Sequence, residues 1–178
     1  MTVAGRPTGP GPDRWDADDA VTHLYASHYR QLVRLSVLLV RDPETAEEVV
    51  QDSFVAMHGR WRSLDDPHKG LAYLRQTVVN RSRSVLRHRS VQYRYAPVLE
   101  TDTRHAVDDH AAGVRRRLVL DALQKLPTRQ REVLALRYYL DLDEASIADL
   151  LGISRGAVKS HASRAAATLR TLLEDSHD

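Results

Sequence analysis

One stretch near the C-terminus constrains the fold more than any other. Residues 144–161 read Glu-Ala-Ser-Ile-Ala-Asp-Leu-Leu-Gly-Ile-Ser-Arg-Gly-Ala-Val-Lys-Ser-His. Ala148 is small where two helices must approach closely. Four positions on, Gly152 supplies the positive φ of a tight turn. Ile153 is an apolar plug, Ser154 suits the cap of a following helix, and Val158 is spaced to pack back on the helix before the turn. This is the spacing of a DNA-binding helix-turn-helix. The helix after the turn carries Arg155, Lys159, Arg164 and Arg170 with no acid before Glu174, and Ser160, His161 and Ser163 add short hydrogen-bonding side chains. Such a helix fits a major groove, some side chains on phosphates and others on base edges. An ordinary helical hairpin with a solvated basic face would share the apolar pattern, and it is the agreement of turn chemistry and charge that favours DNA.

The rest of the chain reads as helix too. Leu32, Leu35 and Leu39 continue a helical stripe begun by Val21, Leu24, Tyr25 and His28, predicting a helix over 18–40. Asp42-Pro43 is a cap with proline at the first helical position. The helix it opens carries Ala46, Val49, Val50, Phe54 and Met57 inward and ends near Trp61. A loop over 62–69 follows, and then a long helix over 70–89 packing through Leu71, Leu74, Val78, Val85 and Leu86. Periodicity lapses over 92–112. Shorter helices are expected over 114–125, from Pro127 to Tyr139, over 144–151 and over 154–173. The fold class is therefore all-α: two small helical domains joined by an extended linker. The boundaries are a Gly- and Pro-rich tail over 1–16, a first domain over 17–91, a linker over 92–112 and a second domain over 113–174.

Several function classes are excluded or disfavoured. The chain has no cysteine, which removes disulfides, thiolate metal sites and thiol catalysis, and its nine histidines are scattered without metal-ligand spacing. No cofactor is expected. There is no phosphate loop and no nucleophile–base set, so a helical enzyme finds no support. No apolar run approaches a membrane span, and the N-terminus lacks the apolar core of a signal peptide. A soluble cytoplasmic protein is expected.

The formal net charge of +2 conceals segregation. Between Asp42 and Asp66 there are seven acids and two Arg or Lys residues; between Lys69 and Arg94 there are seven Arg or Lys residues and no acid. The basic helix offers Arg75, Arg81, Arg83, Arg87 and Arg89, interleaved with Tyr73, His88, Tyr93 and Tyr95, and Asn80 lies among them. Cations track phosphates and planar side chains stack on exposed bases; a solvated surface carrying structural tyrosines would have the same composition. The acidic helix offers Glu44, Glu47, Glu48, Gln51 and Asp52 opposite its apolar stripe. The macrodipole alone favours acids near its start, and a basic protein partner accounts for the same face equally well.

Taken in order, these segments resemble the extracytoplasmic-function sigma factors. Ala46-Glu-Glu-Val-Val-Gln-Asp-Ser-Phe-Val-Ala-Met is similar to that family's polymerase-binding helix. The segment starting Ala72-Tyr-Leu-Arg-Gln-Thr-Val-Val-Asn-Arg-Ser-Arg is similar to its promoter −10 helix. Leu123-Gln-Lys-Leu-Pro-Thr-Arg-Gln-Arg-Glu-Val-Leu opens a segment like its −35-binding domain, which the helix-turn-helix completes. Val158-Lys-Ser-His-Ala-Ser-Arg-Ala is similar to actinobacterial members of the SigE-like group. The family would have Trp where Tyr73 stands, Glu at Asp52, Asp near Ser84 and more arginine around His161 and Ala162, differences that bear on promoter sequence.

The resemblance implies an alternative sigma factor, not an enzyme, that brings core RNA polymerase to promoters through −10 and −35 elements and promotes their opening. It assigns Glu48, Gln51, Asp52 and Phe54 to the clamp coiled coil of the polymerase β′ subunit, with the flap of the β subunit as a second contact. Asn80, Arg83, Ser84 and Arg87 fall to the −10 element, helped by the 62–69 loop. Arg155, Lys159, Ser160, Ser163 and Arg164 fall to the −35 element. An anti-sigma factor is a further implied partner, and the membrane is not. Against a stand-alone helix-turn-helix repressor or activator stand the lack of a dimerisation helix and the unexplained acidic helix.

Overall fold

Asp16 opens the first helix, α1 (Ala17–Val40), by accepting from the amide of Asp19 at 2.8 Å while Asp19 accepts from the Asp16 amide, a reciprocal capping box. The structure is a computed structural model describing residues 11–95 and 110–175, and every regular element among them is helical. Residues 1–10 of the expected tail and 96–109 of the expected linker lie outside the described residues. Within the remainder of that tail, Pro12–Arg14 form a 3-10 turn and Trp15 stacks on His23 at 4.4 Å, so ordered contacts begin before the first long helix.

α1 ends where Arg41 takes a positive φ of 69°. Asp42 then caps α2 (Pro43–Arg60), accepting from the amide of Thr45 at 3.1 Å and from its hydroxyl. Partial burial pushes the Asp42 carboxyl up, but the Thr45 bonds and the Arg89 guanidinium outweigh it and hold the pKa below its ordinary value. Trp61 closes the helix pair; its indole nitrogen donates to the carbonyl of Trp15 at 2.9 Å. The 62–69 loop is built on two 3-10 turns, Trp61–Ser63 and Pro67–Lys69. Gly70 then lets α3 (Gly70–Tyr95) start beneath the indole, since a Cβ there would sit 3.0 Å from a Trp61 ring carbon. α3 runs past the predicted end at 89 because no helix breaker precedes Pro97. Leu32, Leu35, Leu39, Val50, Met57, Leu74, Val78 and Val79 form the core of this first three-helix domain. Tyr25, predicted inward, is exposed and stacks on Tyr29 at 4.3 Å.

The second domain comprises α4 (His110–Lys125), α5 (Thr128–Leu134), α6 (Glu144–Leu151) and α7 (Arg155–Glu174). α4 begins before the predicted 114. Pro127 caps α5 instead of entering it, and α5 continues into a π-helical turn, Ala135–Tyr139, which leaves Tyr138 exposed. Leu123, Leu126, Leu134 and Ala165 form one patch of core, against which Leu38 of α1 packs.

That last contact signals what the sequence did not disclose: the two domains pack directly on each other. Arg131, 5% exposed, donates to the carbonyls of Leu123 (2.8 Å), Gln124 (3.0 Å) and Leu126 (3.0 Å) at the end of α4, and to that of Leu39 (2.9 Å) at the end of α1. Burial lowers the Arg131 pKa, and neighbouring Glu132 acts the other way. Glu132, 1% exposed, accepts from Arg83 of α3 at 2.7 and 3.0 Å and from Arg129 at 3.0 Å. Arg41 pairs with Asp121 across the same seam, and the Gln124 amide reaches the Leu38 and Leu39 carbonyls at 3.4 Å.

Arg131→Met keeps the bulk and removes the donors. Buried carbonyls left without a donor cost about 1–3 kcal/mol each. With about 3 kcal/mol lost, Tm should fall by roughly 6–12 °C for a chain of this size, checked by calorimetry. Asp42→Ala should cost about 1–2 kcal/mol at neutral pH. Because the folded Asp42 pKa lies below the unfolded one, its contribution is full above the unfolded value and fades as pH falls through the folded one. Stability curves of wild type and variant should therefore converge in acid.

Candidate nucleic-acid interface

α6 and α7 form the turn that the sequence predicted. Asp143 caps α6, its carboxylate accepting from the Ser146 amide at 2.7 Å; that bond, then the Ser146 side chain, keep its pKa below the ordinary value. Gly152 sits at φ 64°, ψ 38°, with its amide on the Ala148 carbonyl. Ser154 caps α7, accepting from the Ala157 amide at 3.0 Å. Val158 and Ile147 are fully buried between the two helices, with Ala148 at the close approach. Burying Val158, Ala162 and Ala165 turns the opposite side of α7 outward, and there Arg155, Lys159, Ser160, Ser163 and Arg164 are all exposed. The structure thus gathers the whole predicted set on one basic face. Lys159 also lies 3.7 Å from Glu144, which Arg137 approaches at the same distance. His161 is half-buried with its Nδ1 enclosed, which distinguishes it from its exposed neighbours.

α3 arranges its predicted residues at helical intervals. Asn80, Arg83, Ser84 and Arg87 follow an i, i+3, i+4, i+7 pattern, so they share a face. Asn80, Ser84 and Arg87 are exposed. Arg83 is turned onto Glu132, and its Nη1 donates to the Asn80 side-chain oxygen at 3.3 Å. Other arginines of the basic run are employed within the fold. Arg89 spans the α1–α2 junction, donating to the Val40 carbonyl, Asp42 and Thr45. Arg81 lies 3.8 Å from Asp52. Arg75 is half-buried, and burial lowers its pKa. The charge run overstated the width of the cationic face, because the sequence does not show which arginines bend back.

On α2, Glu48, Gln51 and Asp52 are exposed along one side with Glu44 and Glu47. Phe54 is not on that surface. It is 4% exposed, packed beneath Tyr25 at a centroid distance of 5.3 Å, so it supports the acidic face from inside. Glu132 and Arg131 are the residues that sequence reasoning missed at this interface. Their only signal was a charged pair at positions continuing an apolar stripe, directly before Val133 and Leu134.

Gly152→Ala forces a Cβ into the left-handed region and should cost about 1 kcal/mol. Ser154→Ala should cost a similar ~1 kcal/mol through the lost cap. Chemical denaturation of both variants checks the turn; unchanged midpoints would contradict the geometry.

Residues 24–91 match the family model described as Sigma-70 region 2, and residues 116–169 that described as Sigma-70, region 4. The RNA polymerase sigma-E factor of Streptomyces coelicolor is 34% identical over 140 residues, covering 78% of this chain and 77% of the relative. The ECF RNA polymerase sigma factor SigM of Mycobacterium tuberculosis is 33% identical over 158 residues, covering 86% of this chain and 77% of the relative. Among solved structures, CnrH in complex with the cytosolic domain of CnrY aligns with a TM-score of 0.68 at 26% identity, over 93% of this chain and 99% of CnrH. The sigma factor RpoE of Bartonella quintana, solved with the anti-sigma factor NepR, has the same fold, with a TM-score of 0.68 at 21% identity over 86% and 96%. The two matched regions fall in order on the helices that carry the acidic and basic faces and the helix-turn-helix, and the chain belongs to the sigma-70 family of RNA polymerase sigma factors, in its extracytoplasmic-function group.

Proposed function

We propose that the two domains of this promoter-directing sigma factor divide their work by surface. The exposed acids of α2, Glu48 and Asp52 with Gln51, dock on the clamp coiled coil of the polymerase β′ subunit. Asn80, Arg83, Ser84 and Arg87 of α3, with the 62–69 loop, take the −10 element, Asn80 bonding a base drawn out of the stack. That capture offsets the few kcal/mol that unstacking costs. Arg155, Lys159, Ser160, Ser163 and Arg164 of α7 enter the major groove of the −35 element. The observation that carries this reading is the order of the matched regions: region 2 lies over the acidic and basic faces, and region 4 over the helix-turn-helix.

The finer assignments follow from the same surfaces. An apolar groove of about 610 Å³, lined by Leu123, Leu134, Tyr138, Leu169 and Leu173, suits an apolar segment of the β flap. The functional domains are 17–91 and 113–174, with 92–112 as the connection between them and 1–16 as a tail. An anti-sigma factor completes the partner set. No described helix is long and apolar enough to cross a membrane, in keeping with action on cytoplasmic DNA. The chain needs no catalytic chemistry of its own, because binding energy and the polymerase supply what initiation requires.

Run-off transcription with purified core polymerase and genomic promoter fragments tests the whole. A specific transcript that depends on this chain is expected; neither transcript nor core binding would sink the proposal. Lys159→Ala should weaken promoter binding and reduce the magnitude of the salt slope by about one. Asp52→Arg should weaken core binding without unfolding the chain, since Asp52 is exposed and its partner Arg81 is 3.8 Å away. Normal core binding by that variant would reject the α2 docking assignment.

A further inference from the structure

We infer that the segment ahead of α1, residues 11–15, is a strap that sets the frame of the 62–69 loop and so takes part in choosing the −10 base. The inference rests on the −10 role proposed above for that loop. The strap precedes the stretch matched to Sigma-70 region 2, which starts at residue 24, and no role given above uses it. It reaches the loop at both ends. At the entry, the Trp61 indole nitrogen donates to the Trp15 carbonyl at 2.9 Å. At the exit, His68 Nε2 donates to the Asp13 carboxylate at 3.2 Å. The strap is itself held in shape. The Arg14 amide bonds the Gly11 carbonyl at 3.0 Å and the Trp15 amide that of Pro12 at 3.2 Å. The Trp15 ring lies nearly flat on His23 of α1, at an interplanar angle of 13°. In the first turn of α1, Asp18 accepts from His58 Nε2 at 2.8 Å, which ties the end of α2 to the same place.

The two anchors differ in kind. Trp61 is 5% exposed and lies under Gly70, so the loop's entry is fixed in the core. Asp13 and His68 keep 71% and 59% of their side-chain surface in water. Such a pair adds little to global stability, so its effect falls on the exit of the loop. Between the anchors Leu64 packs against the core, while Arg62, Ser63 and Asp65 are exposed and free to meet a base. A loop tied at both ends is ordered before DNA arrives, and binding then loses less conformational freedom. A slack loop meets the fitting base and the others more nearly alike, because discrimination needs groups held in place. Asp13 and Trp15 are therefore positioning residues, acting on DNA through the loop.

The probe is a fluorescent non-template oligonucleotide spanning the −10 element of a promoter mapped by run-off transcription, with a set in which each base of the element is replaced in turn. Holoenzyme with Asp13→Ala should bind the native oligonucleotide about two- to fivefold more weakly, the worth of an exposed ion pair. Trp15→Ala, which frees the whole strap, should weaken it roughly tenfold or more. Both should bind the replaced oligonucleotides nearly as wild type does, so preference narrows at the base the loop meets, while core binding is unchanged. Asp13→Asn keeps an oxygen acceptor for His68 and should restore the preference. The inference falls if folded Asp13→Ala and Trp15→Ala discriminate as wild type does, or if they lose affinity equally for every oligonucleotide, the mark of a merely structural role. Should Trp15→Ala not fold, Asp13→Ala decides alone. Arg62→Ala with Asp65→Ala at the exposed loop tip separates the two readings. Unchanged binding of the whole set by that variant removes the loop from the −10 element and this inference with it, whereas altered preference there with silent strap variants removes the strap only.

Discussion

The guanidinium of Arg131 is almost out of water, and none of its hydrogen bonds is to a carboxylate. Its charge is met instead by carbonyl oxygens at the C-termini of two helices, α4 and α1. Those are the groups a helix leaves without internal partners, at the negative end of its dipole. One side chain thus satisfies the end of a helix in each domain at once. Much of the arrangement depends on that sharing: α5 is fixed against the α1–α4 seam, Glu132 on the next residue is carried to α3, and Leu38 is seated in the second domain's core.

A buried cation held by dipoles is conditional in a way that an apolar contact is not. Apolar burial weakens gradually with distance, but the Arg131 and Glu132 bonds need donor and acceptor within about 3 Å and lose most of their worth beyond it. Each domain has its own helix caps, with Asp16 and Asp42 in one and Asp143 and Ser154 in the other, while one apolar cluster runs from Leu32 and Val78 of the first to Leu136, Ile147 and Val158 of the second.

Much of this was legible in the sequence, and the boundary follows the range of the interactions. Gly152, Ser154 and Val158 announced the helix-turn-helix because turn chemistry and caps act within a few residues. Asp42-Pro43 announced α2 for the same reason. Regions 2 and 4 were recognisable because their motifs are contiguous. The internal partners of Arg89, Arg83 and Arg131 were not legible, since each finds partners more than forty residues away or in carbonyls whose positions only the folded chain defines. Phe54 was read both as inward and as docking, and in the chain alone it is buried under Tyr25. Tyr25 itself fits the helical stripe but lies at its edge, where stacking on Tyr29 substitutes for burial.

The π-helical turn at Ala135–Tyr139 carries a consequence for how such chains tolerate change. It holds one more residue than an α-helical turn would, and so resets the phase of the helix by about 100°. Deleting any single residue in it would restore regular winding without introducing an unfavourable side chain. The same deletion would swing Asp143, α6 and with them α7 around the helix axis relative to the first domain. Length in this short segment therefore constrains the geometry more strictly than composition does. A one-residue gap there would mis-aim an otherwise intact DNA-reading helix, whereas substitutions that keep the count would leave its bearing unchanged.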